Sequence, residues 1–184
     1  MLLLETERLL LLPPNLDLLP LVFDYFIRNR EHFMPWGPKH EPAWDTEEYH
    51  RNKIIQYCEK MADGNSLWVF IFEKNHPDKI LGDIHFSNVV RGIFQSCNVG
   101  YRLDENEQRK GYMREALQRS IEYAFNDMKL HRIEANIIPV NERSIKLVKS
   151  LGFEEEGLAK KYLKIAGRWQ DHVHYTLLND ALEE

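Results

Sequence analysis

Apolar residues first run together at Leu9–Leu12 and stop at Pro13 and Pro14, so "ERLLLLPP" reads as a first strand. The spacing then widens to three and four. Leu18, Leu21, Val22, Tyr25 and Phe26 share one face of a helix in "NLDLLPLVFDYFIRNREHF". Asp45 or Thr46 can cap a second helix, with Glu47 and Glu48 in its first turn and "ADGNS" at its end. "LWVFIFEK" is a dense β run, "NHPDK" reads as a turn, and "ILGDIHFSNVV" as the next strand. "SCNVGYRLD" is a further strand with Gly100 inside it, where a bulge or a close approach of ligand or backbone is expected. Met113, Leu117, Ile121, Ala124, Phe125 and Met128 restore the helical period. "HRIEANIIP" is a strand and "ERSIKLVKSLG" a short helix that Gly152 ends. Two strands, roughly Phe153–Ile165 and Arg168–Leu178, close the chain around a turn at Gly167. The order β-α-α-β-β-β-α-β-α-β-β predicts an α/β (α+β) fold with a mixed, mostly antiparallel sheet flanked by helices. Between the first two helices, "MPWGPKHEPAW" is long and irregular. Trp36 and Trp44 make it an ordered loop, since both are expensive to leave in solvent.

Composition narrows the class. At 184 residues, 43% hydrophobic and 29% charged, the chain reads as a single globular domain over residues 1–184. A formal net charge of -5 disfavours general nucleic-acid binding, while an acidic cleft would attract a basic peptide. Cys58 and Cys97 have no CxxC partner and are expected to be buried, reduced thiols of a cytoplasmic protein. Glu5, Glu7 and Arg8 interrupt the apolar amino terminus, and no run approaches the roughly 20 apolar residues of a membrane span.

The stretch "ENEQRKGYMREAL" carries the first candidate chemistry. A helix start leaves backbone N–H groups unpaired at the positive end of its dipole, and such an end binds phosphate. Gly111 lets a bulky anion approach the main chain, and Arg109 and Lys110 add positive charge. A bulge at Gly100 in the preceding strand could splay the sheet and free strand backbone for an extended ligand. The segment is not the GxxxxGK[ST] of a nucleotide P-loop. A glycine near a helix start, flanked by solvated cations, is the plainer alternative.

The same segment resembles the pyrophosphate motif Q/R-x-x-G-x-G/A of the GNAT N-acetyltransferases at Gln108, Gly111 and Met113, with Met113 where Gly or Ala is usual. "ANIIPVNERSIKLVKSLGFEEEG" resembles the family's second cofactor motif, N-x-x-S followed by a short helix and GF-x-x-E-G. "FSNVVRGIFQSCNVGY" and "YLKIAGRWQDHV" are similar to the RimJ/RimL-like branch, the ribosomal-protein alanine N-acetyltransferases. The resemblance runs from Arg8 to Leu178. It implies the GNAT acyl-CoA N-acyltransferase fold with its twisted sheet, acetyl-CoA as donor, and a protein α-amine as acceptor. A small amine (polyamine, amino acid or drug) is a second possible acceptor. A CoA-binding module that has lost catalysis is a third reading, and a homodimer through the terminal strands is a further possibility.

Acetyl transfer to an amine needs a neutral attacking amine, stabilisation of the oxyanion and a proton for the leaving thiolate. By resemblance, backbone amides of Gln108, Arg109, Lys110, Gly111, Tyr112 and Met113 hold the pyrophosphate, and Val99, Gly100 and Tyr101 run beside the pantetheine. Asn141 bonds the CoA arm, caps the short helix, or does both. The Tyr that many relatives use as thiolate acid is replaced here by Val148. Ser144 matches the Ser that does this work in the RimL-like branch, and a local backbone partner is the alternative for it. The Glu that serves as base in that branch falls at Leu163. Asp83, His85, Glu134, Asp171, His172 or a water chain remain for that role. Phe33, Trp36, His85, Tyr162 and Trp169 are candidate acceptor contacts, with satellite core as the alternative for the aromatics. "HVH" around Val173 has two-His spacing but no third ligand nearby, so no metal is expected. Asn88 and Arg91 either anchor a turn or touch the acceptor.

Overall fold

The computed structural model describes residues 2–182. Eight strands form one sheet: β1 Leu4–Glu5, β2 Leu9–Leu12, β3 Leu67–Glu73, β4 His76–Val90, β5 Ser96–Leu103, β6 Arg132–Ile137, β7 Glu154–Ile165 and β8 Arg168–Leu178. Their order across the sheet is β1-β2-β3-β4-β5-β6-β8-β7. Only the β5–β6 pair is parallel. Five helices flank the sheet: α1 Leu19–Arg28, α2 Arg30–Phe33, α3 Glu47–Ala62, α4 Tyr112–Asn126 and α5 Glu142–Ser150. The mixed, mostly antiparallel sheet flanked by helices is the fold that the apolar spacing predicts.

Burial on both faces explains the unbroken apolar run of β3. Leu67, Val69 and Ile71 join a core with Met113, Leu117 and Ile121 of α4. Trp68, Phe70 and Phe72 join a second core with Val22, Tyr25 and Phe26 of α1 and Ile54 of α3. Strand periodicity of two sends alternate side chains to each core.

Several local expectations change. The first strand is two, because β1 folds back on β2 with Leu4 opposite Leu11. "NHPDK" is not a simple turn. The chain reverses at Lys74–Asn75 and β4 already begins at His76. The register then slips between Phe72↔Ile80 and Glu73↔His76, so the stretch holding Pro77 loops out of the ladder. Thr46, rather than Asp45, caps α3, its hydroxyl accepting from the Tyr49 N–H at 3.3 Å. Cys97 is buried as expected and burial pushes its thiol up to about 12, but Cys58 is exposed. Of the loop tryptophans, Trp44 is buried and Trp36 exposed. Asn88 donates to Asn98 Oδ1 at 3.0 Å and Arg91 to the Met128 carbonyl at 2.5 Å, so both anchor the β4–β5 turn. No helix among the described residues is long and apolar enough to cross a membrane.

Candidate active site

β5 and β6 pair at three positions only, Ser96↔Arg132, Cys97↔Ile133 and Asn98↔Glu134, although β5 continues to Leu103 and β6 to Ile137. From Val99 onward the β6-facing edge of β5 has no strand partner, and its backbone groups are free to bond an extended ligand. The sequence suggested a bulge at Gly100 as the cause, and the structure corrects this. Gly100 pairs with His85 in a continuous register from Gly82↔Leu103 to Ser87↔Asn98, and the β4–β5 irregularity lies at Ser87–Val90. The splay comes instead from β6, which stays with β8 through six consecutive pairs, Arg132↔Leu178 to Ile137↔Val173. A Cβ on Gly100 would meet nothing within 4 Å. The missing side chain leaves room in a cavity of about 610 Å³ that Val99, Gly100 and Tyr101 line on this side.

Beyond the end of β5 the chain turns into α4. Gly111 is the N-cap with φ 83°, in the left-handed region, and no side chain caps the helix. The N–H groups of the first helical residues therefore have no intrahelical acceptor. Tyr112 and Met113 turn their side chains into the core, and the Tyr112 hydroxyl donates to Glu73 at 3.0 Å. What this turn presents outward is backbone. The extra charge expected from Lys110 is already matched, since its ammonium lies 2.7 Å from Glu107, which also meets Lys79 at 2.8 Å. Arg8 holds the turn from outside, donating to the Lys110 carbonyl at 3.0 Å and through Nε to Glu115 at 2.7 Å. Thr6 and the Arg8 backbone N–H also bond Glu115. Burial works against the Glu115 charge, but these hydrogen bonds outweigh it and hold the carboxyl below its usual range. A carboxylate one turn into α4 would repel an anion at the helix start, and Arg8 neutralises it. Gln108 points aside: its amide donates to His32 of α2 at 2.8 Å and its oxygen accepts from Arg143 of α5.

Asn141 and Ser144 line the opposite wall of the same cavity. Asn141 Oδ1 accepts from the Ser144 N–H at 3.3 Å, so Asn141 does cap α5. The Tyr101 hydroxyl donates to the Ser144 carbonyl at 3.4 Å, and burial pushes it up to about 12. A hydrogen bond from the Ser144 side chain partly offsets that effect of burial on Tyr101, so Ser144 meets this phenol through its hydroxyl as well as its carbonyl. Val148 is fully buried in the core shared with α4, so that position faces away from the cavity.

The candidate bases separate. Asp83 is 1% exposed and fully engaged. It accepts from Arg102 Nε at 3.0 Å and Nη2 at 2.7 Å, from Tyr25 Oη at 3.0 Å and from Trp68 Nε1 at 2.9 Å. It is a structural ion pair under the cavity floor. Glu134 is tied to Arg132 at 2.6 Å, and Asp171 accepts from the Lys161 N–H at 2.8 Å. Neither lines the cavity. His85 and His172 do. His172 is lowered by burial, partly offset by its bond to the Gln170 carbonyl. His85 meets Ser66 Oγ at 2.9 Å, and burial lowers it from 6.5 to about 4. The unfolded chain therefore takes up a proton at His85 before the native one does. Stability that is complete above pH 6.5 is lost as pH falls from 6.5 towards 4. His85→Gln is expected to flatten the fall of Tm across that window, and an unaltered slope would count against this assignment.

Of the candidate acceptor contacts, Phe33, Trp36 and His85 line the cavity, and Tyr162 and Trp169 do not. The β7–β8 register slips between Ala159↔His172 and Leu163↔Gln170. Tyr162 packs at that slip against His172 and His174, with ring centroids at 5.8 and 4.6 Å. Trp169 is 62% exposed near the hairpin tip. The hairpin still closes on the Pro-rich loop, through a bond from the Ala166 N–H to the Gly37 carbonyl at 2.8 Å. Sequence reasoning missed Tyr49, Lys53 and Tyr57, which α3 contributes to the cavity. Their signal was present: they recur every four residues, on a stripe of α3 beside buried His50 and Ile54. Arg102 also lines the cavity, and no spacing announced its partner Asp83. Among the described residues no group of three or more His, Cys, Asp or Glu could hold a metal ion.

Comparison with known proteins bears on this geometry. The sequence profile of the acetyltransferase (GNAT) domain matches residues 8–154. The chain is 39% identical over 150 residues to the ribosomal protein uS5-alanine N-acetyltransferase of Escherichia coli, covering 82% of this chain and 77% of that protein. The crystal structure of the ribosomal-protein-S5-alanine acetyltransferase of Vibrio fischeri superposes with a TM-score of 0.93 at 36% identity, over 100% of both chains. Mycobacterium smegmatis RimJ, solved with CoA-disulfide, superposes with a TM-score of 0.86 at 25% identity, over 96% of this chain and 84% of that one.

Proposed function

Because the chain belongs to the GNAT acetyltransferase family, we propose that it transfers the acetyl group of acetyl-CoA to the N-terminal α-amine of a ribosomal protein. The observation that carries this reading is the parting of β5 from β6 along one cavity wall, with the uncapped start of α4 following β5 outside that lining. Bound acetyl-CoA supplies the thioester. Backbone N–H groups at the start of α4 hold the pyrophosphate, with Arg8 cancelling the charge of Glu115 behind them. The free edge of β5 at Val99–Tyr101 bonds the pantetheine arm and polarises the thioester carbonyl. Asn141 fixes the first turn of α5, and Ser144, bonded to Tyr101, presents its hydroxyl to the departing sulfur. Cavity water takes the proton of the acceptor ammonium towards bulk solvent, because Asp83 is locked to Arg102 and burial lowers His85 and His172, weakening both as bases.

Charge favours a peptide over a polyamine. Besides its histidines and tyrosines the cavity wall carries Lys39 and Lys53 against Glu41, with Arg102 already neutralised by Asp83. Such a wall repels a polycation. The relatives named for ribosomal-protein alanine acetylation give the acceptor its class.

Thiol release from acetyl-CoA over peptides beginning with Ala, Ser, Thr, Met or Lys, with polyamines and free amino acids alongside, tests the proposal. Turnover confined to Ala- or Ser-started peptides is the expected result. Turnover only on polyamines or amino acids would overturn the acceptor. Ser144→Ala is expected to lower kcat about tenfold with little change in the KM for acetyl-CoA. That is below the usual general-acid contribution of about 10²-fold, because a thiol of pKa about 8.5 leaves readily on its own.

A further inference from the structure

Tyr49 and Lys53 line two cavities at once. One is the cavity that holds Gly100 and Ser144. The other, of about 550 Å³, lies along the outer side of α3 and is lined by Thr46, Asn52 and Gln56 together with Ala43 and Glu48. The second cavity contains nothing that the acetyl transfer itself uses. The Thr46 hydroxyl is spent on the Ala43 carbonyl and the Tyr49 N–H, which leaves the carboxamides of Asn52 and Gln56, groups that both donate to and accept from a peptide main chain. Lys53 stands on the shared wall, half-buried, with its ammonium 5.5 Å from the ring centroid of Tyr49. Among the described residues it makes no salt bridge. Held over the Tyr49 ring, the ammonium keeps donors free that a carboxylate arriving with a ligand would take.

We propose that the acceptor polypeptide continues past its acetylated residue over Tyr49 and Lys53 into this second cavity. Its main chain bonds Asn52 and Gln56, and an acidic side chain among its first few residues pairs with Lys53. This inference rests on the peptide reading of the acceptor. The ten-residue separation of Thr46 and Gln56 along α3 spans about 15 Å, the reach of about four or five extended residues. Glu41 in the first cavity and Glu48 in the second are the carboxylates nearest this path, so a basic side chain meets Lys53 with repulsion but is not rejected everywhere.

The experiment compares an Ala-started octapeptide carrying one Glu at position 3 or 4, the same peptide with Gln or Lys there, and a two-residue amide with no reach beyond the first cavity. For the acidic octapeptide, Lys53→Glu is expected to lower kcat/KM at least about fivefold, mostly through KM. Lys53→Arg should restore it, and the Lys-bearing peptide should improve with Lys53→Glu. The double variant Asn52→Ala/Gln56→Ala should raise KM for the octapeptides and leave the two-residue amide unchanged. Equal effects of these variants on long and short acceptors, with Tm unaltered, would overturn the second subsite while leaving peptide acetylation intact. Turnover of polyamines but of no peptide would instead overturn the acceptor reading, and the subsite with it.

Discussion

Gly111→Val is expected to remove acetyl-CoA binding, with affinity falling at least about 10²-fold, while the protein still folds. Two effects combine. Gly111 sits at φ 83°, where a side-chain-bearing residue is strained by about 1–2 kcal/mol and a β-branched one by more. A Cβ there would also lie 3.3 Å from Nη2 of Arg8, the guanidinium that bonds the Lys110 carbonyl and Glu115. Arg8 must give by a few tenths of an ångström, which loosens its hold on the Lys110 carbonyl, and relief of the left-handed strain moves the N–H groups at the start of α4. Each charge-assisted hydrogen bond to phosphate is worth roughly 1.5–3 kcal/mol, so two lost bonds alone exceed 10²-fold. Gly111→Asn separates strain from obstruction, because Asn tolerates the left-handed region. Isothermal titration with CoA decides between them. Native affinity in Gly111→Asn would mean that backbone shape, and not the open approach to the main chain, is what glycine supplies. Native affinity in Gly111→Val would sink the phosphate assignment altogether.

Asp83→Ala should destabilise the fold by about 3 kcal/mol, near the low end for breaking a buried pair because Arg102 reaches the cavity. It strips Arg102 of both its hydrogen bonds to carboxylate and leaves the indole N–H of Trp68 without its acceptor. For a chain of this size that corresponds to a fall in Tm of about 6–12 °C. Burial, followed by the charge of Asp83, holds the Tyr25 phenol well above its usual range, so Tyr25 stays neutral and donates to the carboxylate. Asp83→Asn should fall between wild type and Asp83→Ala, since an amide oxygen still accepts from Tyr25 or Trp68 but carries no charge for Arg102. The same variants judge the base. A loss of turnover in Asp83→Asn at unchanged Tm would reinstate Asp83 as the proton acceptor. The expected pattern is the reverse: a lower Tm, and residual activity that follows the folded fraction.

Local chemistry carried much of this protein into view from its sequence. The apolar run of β3, the period of α4 and a cap at Asp45 or Thr46 depend on neighbours within a few residues, and the order of letters encodes them directly. So does the glycine start of α4, because its orphan N–H groups belong to the helix end itself. Asn141 and Ser144 belong here as well, three residues apart in one helical turn.

Tertiary structure alone decided the rest. Gly100 was legible as an anomaly in a strand, but its meaning depended on where β6 leaves β5, and β6 is held by β8 from more than thirty residues further along the chain. Asp83 carried the same letter as a general base would, and only the approach of Arg102, Tyr25 and Trp68 made it a structural anion. Tyr162 and Trp169 read alike in the sequence, but the register slip between β7 and β8 sets Tyr162 against two histidines beside the cavity, while Trp169 stands exposed near the hairpin tip. A side chain's role follows from what is packed against it. Periodicity reports which face it occupies, and the partner on that face arrives from elsewhere in the chain.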